Sequence, residues 1–597
     1  MRRSVFLAAL AVALVAALWR AGLPTEPRFA APAPRTPEGA AAAADCRFLT
    51  LPAIAPAAHA SMLAAAPDGS LLAAWFTGSR EGAQDVVIQF ARVRGGAVQE
   101  TWTALTRQQL QAMVGRVVRK LGNPVPWFDA SGRLHLFVVS VSYGGWSGSA
   151  VNHLQSDDGG RTWASARRLV LAPFLNLSTL VRNPPVPMAD GGMGLPAYHE
   201  FIHKHGLWVR LGTDGRVLQA SRMPPVAGGA LQPAVAPLPG PGEATDALAV
   251  LRTAAHGPIG TVRTTDGGLD WSGPGVLGIP NPDSGTCMIA LADGSLLLVA
   301  NPLQKGRNEL RLFRSLDGGT TWKPSRTIER SADPKAEFSY PALVQDASGT
   351  VHLSWTWMRK GIRVASFAPA WLDAGDADAP AAPATVELPA AASPPPAAEP
   401  PLPRWSLSMA YGLFAQALLV AAAARLAWRA LHRPDTRVGR ALPWFAAVVV
   451  LLVQADGIPL AAHLRGLWGD PAVATSALLA WWLLARDLPQ PPAAWRPVAA
   501  AVVIAAFLYA PAFLGIGLGA LDVHAGAWTF PGAAVAAIGA TVLLLALRAP
   551  VPHGGIALAA IVLLAYAAGA MESDNPLDYA VDPLLLAGMA ASGLARR

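Results

Sequence analysis

Ser156-Asp157-Asp158-Gly159-Gly160-Arg161-Thr162-Trp163 is the stretch whose reading decides the fold. It returns as Thr264-Thr265-Asp266-Gly267-Gly268-Leu269-Asp270-Trp271 and as Ser315-Leu316-Asp317-Gly318-Gly319-Thr320-Thr321-Trp322. The shared pattern is Ser/Thr-x-Asp-Gly-Gly-x-x-Trp. Its chemistry predicts a tight hairpin between two strands. The Asp accepts hydrogen bonds from the backbone of its own turn, the glycine pair supplies positive φ without Cβ strain, and the Trp ring packs under the turn. One copy alone would be an ordinary Asp-Gly hairpin, which is how Pro67-Asp68-Gly69-Ser70 reads.

The copies are also regularly spaced. Asp266 and Asp317 are 51 residues apart, and Asp158 and Asp266 are 108 apart, about twice that. A worn copy is then expected near 212, where Gly212-Thr213-Asp214-Gly215 stands. A period of about 50 residues with several short strands in each predicts a β-propeller, because one small antiparallel sheet cannot bury both faces alone and a ring of them can. Residues 40–372 have room for six blades.

The repeated pattern resembles the Asp box of the sialidase superfamily, and the likeness extends over about residues 46–368. The resemblance implies a six-bladed propeller with Asp158, Asp266 and Asp317 as structural turn residues on the rim away from the active site.

Composition points to a second, membrane-embedded part. The 597 residues exceed one ordinary domain, mean hydropathy is positive, and only 14% of residues are charged. Residues 1–22 read as a signal peptide or N-terminal anchor, with Arg2 and Arg3 before an apolar run; Ala31-Pro32-Ala33 is a poor cleavage site because of its proline. Residues 373–403 form an Ala/Pro-rich linker, with nine prolines between 380 and 403. Residues 404–597 form a helical region with about six to seven spans, near 406–424, 441–460, 472–485, 497–519, 528–547, 554–571 and 583–594. Arg425, Arg429, Arg433, Arg437 and Arg440, then Arg486, Arg496, Arg548, Arg596 and Arg597, fall in loops of one side, while Asp522, Glu572, Asp574, Asp578 and Asp582 fall on the other. Basic loops face the cytoplasm, so the propeller is expected on the periplasmic or extracellular side of a multi-pass protein of the cytoplasmic membrane. Asp456 is expected at the outer interface. The net charge of +8 carries no basic run interleaved with aromatics, so membrane lipid and not nucleic acid is the expected partner. Cys46 and Cys287 are open to two readings, a bridge in an exported domain or two free thiols.

His199-Glu200-Phe201-Ile202-His203 matches a zinc-protease motif that needs a helix. Pro196 and Gly206 leave no room for one, and on a strand the two histidines stand about 13 Å apart. No metal and no other cofactor is expected.

Further site residues follow from the resemblance. Arg80 and Asp85 resemble the segment in which an Arg and, five residues on, an acid/base Asp reach the pocket. Arg252 and Arg307 resemble two of three arginines that grip a sugar carboxylate, a task for which the guanidinium fork is suited. His59 stands at the place of the first arginine, and Gln232 at the place of a helper Glu. Phe338 stands at the place of the Tyr nucleophile, with Tyr340 two residues on and thus on the same strand face. Tyr198, His199 and Glu200 line the pocket. Tyr340 then takes over as nucleophile with Glu200, Glu243 or Glu337 as helper, or Asp85 and a second carboxylate invert instead. The implied function is a membrane-anchored exo-glycosidase of exo-α-sialidase type acting on a terminal acidic sugar of a glycan. The alternative is a propeller that binds glycans without cleaving them.

Overall fold

The computed structural model describes residues 2–22, 25–30, 46–172, 176–238, 245–374, 377–378, 405–432, 436–484, 522–548 and 553–585. Helix α1 (Arg2–Ala21) comes first, followed by strand β1 (Arg47–Thr50). Blade 1 is β2 (Ala57–Ala65), β3 (Leu71–Gly78), β4 (Val87–Arg94) and β5 (Ala97–Leu105). A short helix α2 (Arg107–Val114) leads to blade 2, made of β6 (Lys120–Phe128), β7 (Leu134–Val141), β8 (Ser149–Ser156) and β9 (Ser165–Arg168).

Blade 3 is β10 (Thr179–Val181), β11 (Val186–Pro187), β12 (Met193–His199), β13 (His205–Leu211) and β14 (Val217–Arg222). Blade 4 is β15 (Ala230–Pro237), β16 (Ala247–Thr253), β17 (Pro258–Thr264) and β18 (Ser272–Pro280). Blade 5 is β19 (Cys287–Ala290), β20 (Leu296–Ala300), β21 (Glu309–Ser315) and β22 (Lys323–Arg330). Blade 6 is β23 (Phe338–Gln345), β24 (Val351–Trp357) and β25 (Gly361–Phe367), and β1 joins it as the fourth strand. Neighbouring strands of the six blades run antiparallel, in sequence order in blades 1, 2, 4 and 5; in blade 3 β10 and β11 both pair with β12, and in blade 6 β1 lies beside β25. The pairing of Arg47 with Ser366 through Thr50 with Arg363 closes the ring. The fold is a six-bladed β-propeller.

Strands such as β7 are buried along their whole length, as a blade sandwiched between neighbours requires. The Asp boxes occupy one fixed place, the turn between the third and fourth strands of blades 2, 4 and 5; the worn copy at Asp214 holds that place in blade 3. In the first box, Asp158 Oδ1 accepts from the Arg161 and Thr162 amides at 3.0 and 2.9 Å, and Asp158 Oδ2 from Thr162 Oγ1 at 2.6 Å. Gly159 and Gly160 take φ of 75° and 90°, and the Trp163 indole donates to the Ala104 carbonyl of the preceding blade. The box therefore tightens a turn and staples adjacent blades together.

Beyond the propeller come α3 (Leu407–His432), α4 (Arg437–Leu452), α5 (Leu460–Trp468), α6 (Val473–Leu484), α7 (Val523–Thr529), α8 (Pro531–Arg548) and α9 (His553–Ala568). Among the described residues two helices, Ser4–Ala21 within α1 and Leu407–Leu431 within α3, are long and apolar enough to cross a membrane, and a third span results if α7 and α8, bent by 113°, count as one. The apolar run at 441–460 is broken: α4 ends at Leu452, and the chain turns back through a hairpin whose tip holds exposed Asp456 at φ 50°. The expected spans at 497–519 and 583–594 and the linker at 373–403 lie wholly or mostly outside the described residues, though the start of that linker is not free: Ala377–Asp378 pairs in parallel with β22. Cys46 and Cys287 are both free thiols.

Candidate active site

A four-stranded meander places its turns alternately on two faces. The first–second and third–fourth turns share one face, which carries the Asp boxes and the Asp68, Asp129, Asp293 and Asp346 hairpins. The second–third turns and the links between blades share the other. That second face holds Glu81 and Asp85 (β3–β4), Glu200 (β12–β13), Arg307 (β20–β21), Arg359 (β24–β25) and Asp283 (β18–β19). Loops from rigid strands converge there, which is where sites are built.

The innermost strands add residues by a repeated device. β2, β6, β15 and β23 each break register against the second strand of their blade. At each break one non-glycine residue takes positive φ: Ala60 (56°), Asn123 (42°), Gln232 (48°) and Tyr340 (51°). Three of the four precede a proline. A left-handed residue of this kind costs on the order of 1–3 kcal/mol and persists only when its surroundings hold it. At Tyr340 the holder is visible. Arg182, 2% exposed, donates from Nη2 to the carbonyls of Tyr340 and Pro341, and its guanidinium lies 5.2 Å from the Tyr340 ring centroid.

Tyr340 is partly exposed at the axis, and cations surround it. Arg252 Nη1 donates to its hydroxyl at 3.3 Å, and the Arg307 guanidinium sits 5.8 Å from its ring. Desolvation would raise the phenol pKa, but Arg252 and Arg307, together with the Arg252 hydrogen bond, outweigh it and hold the pKa below the ordinary tyrosine value. The His59 ring lies 4.3 Å from the Tyr340 ring, and burial, with Arg359 beside it, keeps that imidazole neutral. Among the described residues neither His59 ring nitrogen has a partner, nor does Gln232 Oε1. Gly285 keeps this place open, since a Cβ there would stand 3.0 Å from Gln232 Oε1 and 3.8 Å from Tyr340.

Four carboxylates frame the group. Asp283 accepts from Arg252 Nε at 2.8 Å. Glu337 accepts from Arg307 at 3.0 Å, Ser339 Oγ at 2.6 Å and Arg359 Nε at 2.7 Å. Burial opposes its ionisation, but these three donors win and bring Glu337 down to about 2. Glu81 accepts from Arg359 Nη1 at 2.6 Å. Half-buried Glu200 goes the other way: burial raises its pKa, against the pull of Lys204 and Arg252. Two carboxyls with pKa values pushed apart are the arrangement that acid–base chemistry needs. Tyr198, buried and beside Glu200, accepts at its hydroxyl from Gln232 Nε2 at 3.3 Å; burial raises its pKa, so it stays protonated while Tyr340 is pushed toward phenolate.

Of the residues singled out in the sequence, the structure brings His59, Tyr198, Arg252, Arg307 and Tyr340 into one group and sets Glu200 beside it. Asp85 and Arg80 stand exposed on the β3–β4 loop; Asp85 accepts from the amide and hydroxyl of Ser79, both at 2.9 Å. Asp158, Asp266 and Asp317 lie on the opposite face. Glu243 lies outside the described residues. Phe338 and Tyr340 do not share surroundings as strict alternation predicts. The break after Ser339 leaves Phe338 in the core against Trp355 and turns Tyr340 to the axis. The segment at 199–203 is a strand end and hairpin, with His199 stacked on His205 at 5.1 Å. Among the described residues no group of three or more His, Cys, Asp or Glu is placed to hold a metal ion.

Sequence reasoning missed Arg182, Arg359 and Glu81. A signal for Arg182 is present, because prolines at 124, 184, 233 and 341 recur roughly at the blade period and Arg182 stands two residues before one of them.

Residues 69–353 match a family model described as a BNR repeat-like domain. No curated protein matches the chain. Among solved structures, the Hadza microbial sialidase Hz136 is 16% identical at a TM-score of 0.45, with 53% of this chain and 66% of that one covered. A leech intramolecular trans-sialidase is 13% identical at 0.43, covering 54% and 69%. The NanB sialidase of Streptococcus pneumoniae is 10% identical at 0.43, covering 53% and 69%. This chain thus spans about two thirds of the length of those structures. The family match supports a BNR-repeat reading of the propeller.

Proposed function

We propose that the chain is a membrane-anchored exo-glycosidase of sialidase type, with its propeller on the outer side of a cytoplasmic membrane that it crosses several times. The substrate is a glycan ending in an acidic sugar. One observation carries this reading: a tyrosine held in left-handed backbone at the propeller axis, its hydroxyl bonded by Arg252 and its pKa lowered against burial. A phenol is a good nucleophile where the substrate carries a negative charge, because it starts neutral and ionises only as it reacts. In the proposed reaction Tyr340 gives its phenol proton to solvent water at the partly exposed axis, and its Oη attacks the anomeric carbon. The glycosidic bond breaks, and its oxygen takes a proton from a rim carboxyl. Water then attacks the anomeric carbon and gives a proton back to the rim carboxylate, forming the free sugar, while the departing Tyr340 oxygen recovers its proton from solvent. Arg252 and Arg307 face the sugar carboxylate. Two rim carboxyls are candidates for the proton donor: Asp85 on the β3–β4 loop and Glu200 on the β12–β13 loop. Glu200 is the one whose surroundings favour the protonated form.

The experiment is turnover of a fluorogenic α-sialoside by the full chain, beside Tyr340→Phe, Asp85→Asn and Glu200→Gln. Turnover lost in Tyr340→Phe and in one carboxyl variant, with folding intact, supports the reading. Turnover unchanged in Tyr340→Phe removes the nucleophile.

A second reading is favoured by one observation. Among the described residues no carboxylate lies within hydrogen-bond distance of the Tyr340 hydroxyl, and Gln232 cannot accept its proton. A glycan-binding propeller without catalysis then predicts saturable binding of sialosides and no released sugar.

A further inference from the structure

The N-terminal helix is built into the fold at both of its ends. Along α1, Leu10, Ala13 and Ala17 are buried against Val535 of α8 and Ile556, Ala559, Leu563 and Tyr566 of α9. Small residues at four-residue spacing let helix backbones approach closely, which is how apolar helices associate in lipid. Gly539 of α8 is the matching recess, since a Cβ there would meet Leu14 at 2.8 Å. At the outer end, Arg20 donates to Asp574 at 2.9 Å and lies over the Tyr566 ring. Asp574 is a shared clasp with a 2% exposed side chain. It also accepts from Arg167 of blade 2 at 2.6 Å and from the Val217 amide of blade 3 at 3.0 Å, with Arg216 at 3.7 Å.

The chain just beyond α1 enters the propeller. Phe29, 1% exposed, sits among Met188, Trp208 and Trp271, with its ring 5.7 Å from that of Trp208. The Ala30 amide donates to the Pro187 carbonyl at 3.0 Å, and the Ala189 amide donates to the Arg28 carbonyl at 2.9 Å. Removal of a leader at Ala31-Pro32-Ala33 would strip a core aromatic from blades 3 and 4, one partner from Asp574 and a wall from the α8–α9 pair.

We propose that α1 stays in the mature protein as a permanent membrane span, a signal anchor clasped at Asp574, with residues 25–30 serving as its strap to the box face of the propeller. The occupant of the α8–α9 groove is thus a segment of this chain. A buried carboxylate shared by three arginines from separate segments is costly to leave half-paired, so loss of the one on α1 is felt by the propeller as well.

The test is the intact mass and N-terminal sequence of the full chain purified from membranes. Retention of residues 2–30 is expected, and an N-terminus at or beyond residue 22 overturns the proposal. A second measurement follows thermal unfolding of the detergent-purified full chain carrying Arg20→Gln or Phe29→Ala. Both are expected to unfold several degrees below the parent; parental midpoints for both overturn the clasp and strap.

Discussion

The Tyr340 hydroxyl accepts a hydrogen bond from Arg252 Nη1 at 3.3 Å, while Asp283 holds the Nε of the same guanidinium at 2.8 Å. Arg252 is thereby fixed from one side and presented to the phenol from the other. The pair joins the inner strand of blade 6 to the second strand of blade 4, so it forms only when the ring is closed.

Tyr340→Phe keeps the ring against His59 and Arg182 and removes only the oxygen. Turnover of an α-sialoside should fall by on the order of 10⁴-fold, as when a nucleophile is lost, with the unfolding midpoint nearly unchanged. Steady-state kinetics beside a thermal melt check both halves.

Glu200 has a raised pKa because it is partly buried, so it carries its proton further up the pH scale than a free Glu. If it donates the proton, activity falls as pH rises through that value. Glu200→Gln should cost about 10²–10⁴-fold and flatten the alkaline limb. A pH–rate profile of both proteins checks this, and an unaltered alkaline limb in Glu200→Gln moves the role to Asp85.

Glu337 behaves oppositely. Its folded pKa of about 2 lies below the ordinary 4.5, so its stabilisation is present above the unfolded value and is lost as pH falls toward 2. Each tenfold gain in acidity on folding corresponds to about 1.4 kcal/mol, so Glu337→Gln should destabilise the protein by roughly 2–3 kcal/mol at neutral pH. The gap should close in denaturant titrations at low pH.

Gln232→Glu places a carboxylate beside Tyr198 and Gly285, where among the described residues the Tyr340 proton has no side-chain acceptor. A rise in kcat is expected, together with a loss of stability of about 1–3 kcal/mol for the buried group. Kinetics on the same sialoside decide the first point and a melt the second.

Asp158→Ala removes two backbone hydrogen bonds and two from the hydroxyls of Ser156 and Thr162 in the first box. A net bond contributes about 1 kcal/mol, so a loss of about 1–3 kcal/mol is expected. The box is on the far face, so kcat and KM should stay at parental values.

The ring was legible because its signals are local. Each Asp box fixes its own turn within eight residues, and the spacing of three copies gives the blade period. The worn copy at Asp214 falls where that period puts it. The site was legible in part. Arg252 near the end of a short strand and Arg307 just before one stand at recognisable places, whereas Arg182 grips a backbone carbonyl 158 residues away and has no local mark beyond a proline. The Phe338–Tyr340 relationship failed because strict alternation does not survive a bulge, and a residue at positive φ before Pro341 leaves too faint a trace. The clasp at Asp574 joins segments separated by as much as 554 residues, which no local pattern records.

The central claim is that Tyr340 is a nucleophile at the propeller axis. Its most direct test is trapping: the full chain is incubated with a 2,3-difluoro sialoside, whose slow breakdown accumulates the glycosyl–enzyme, and the labelled residue is read by peptide mass. A sugar adduct on Tyr340, absent in Tyr340→Phe, is the predicted result. A folded protein that binds the sialoside and carries no adduct contradicts the claim and leaves a lectin.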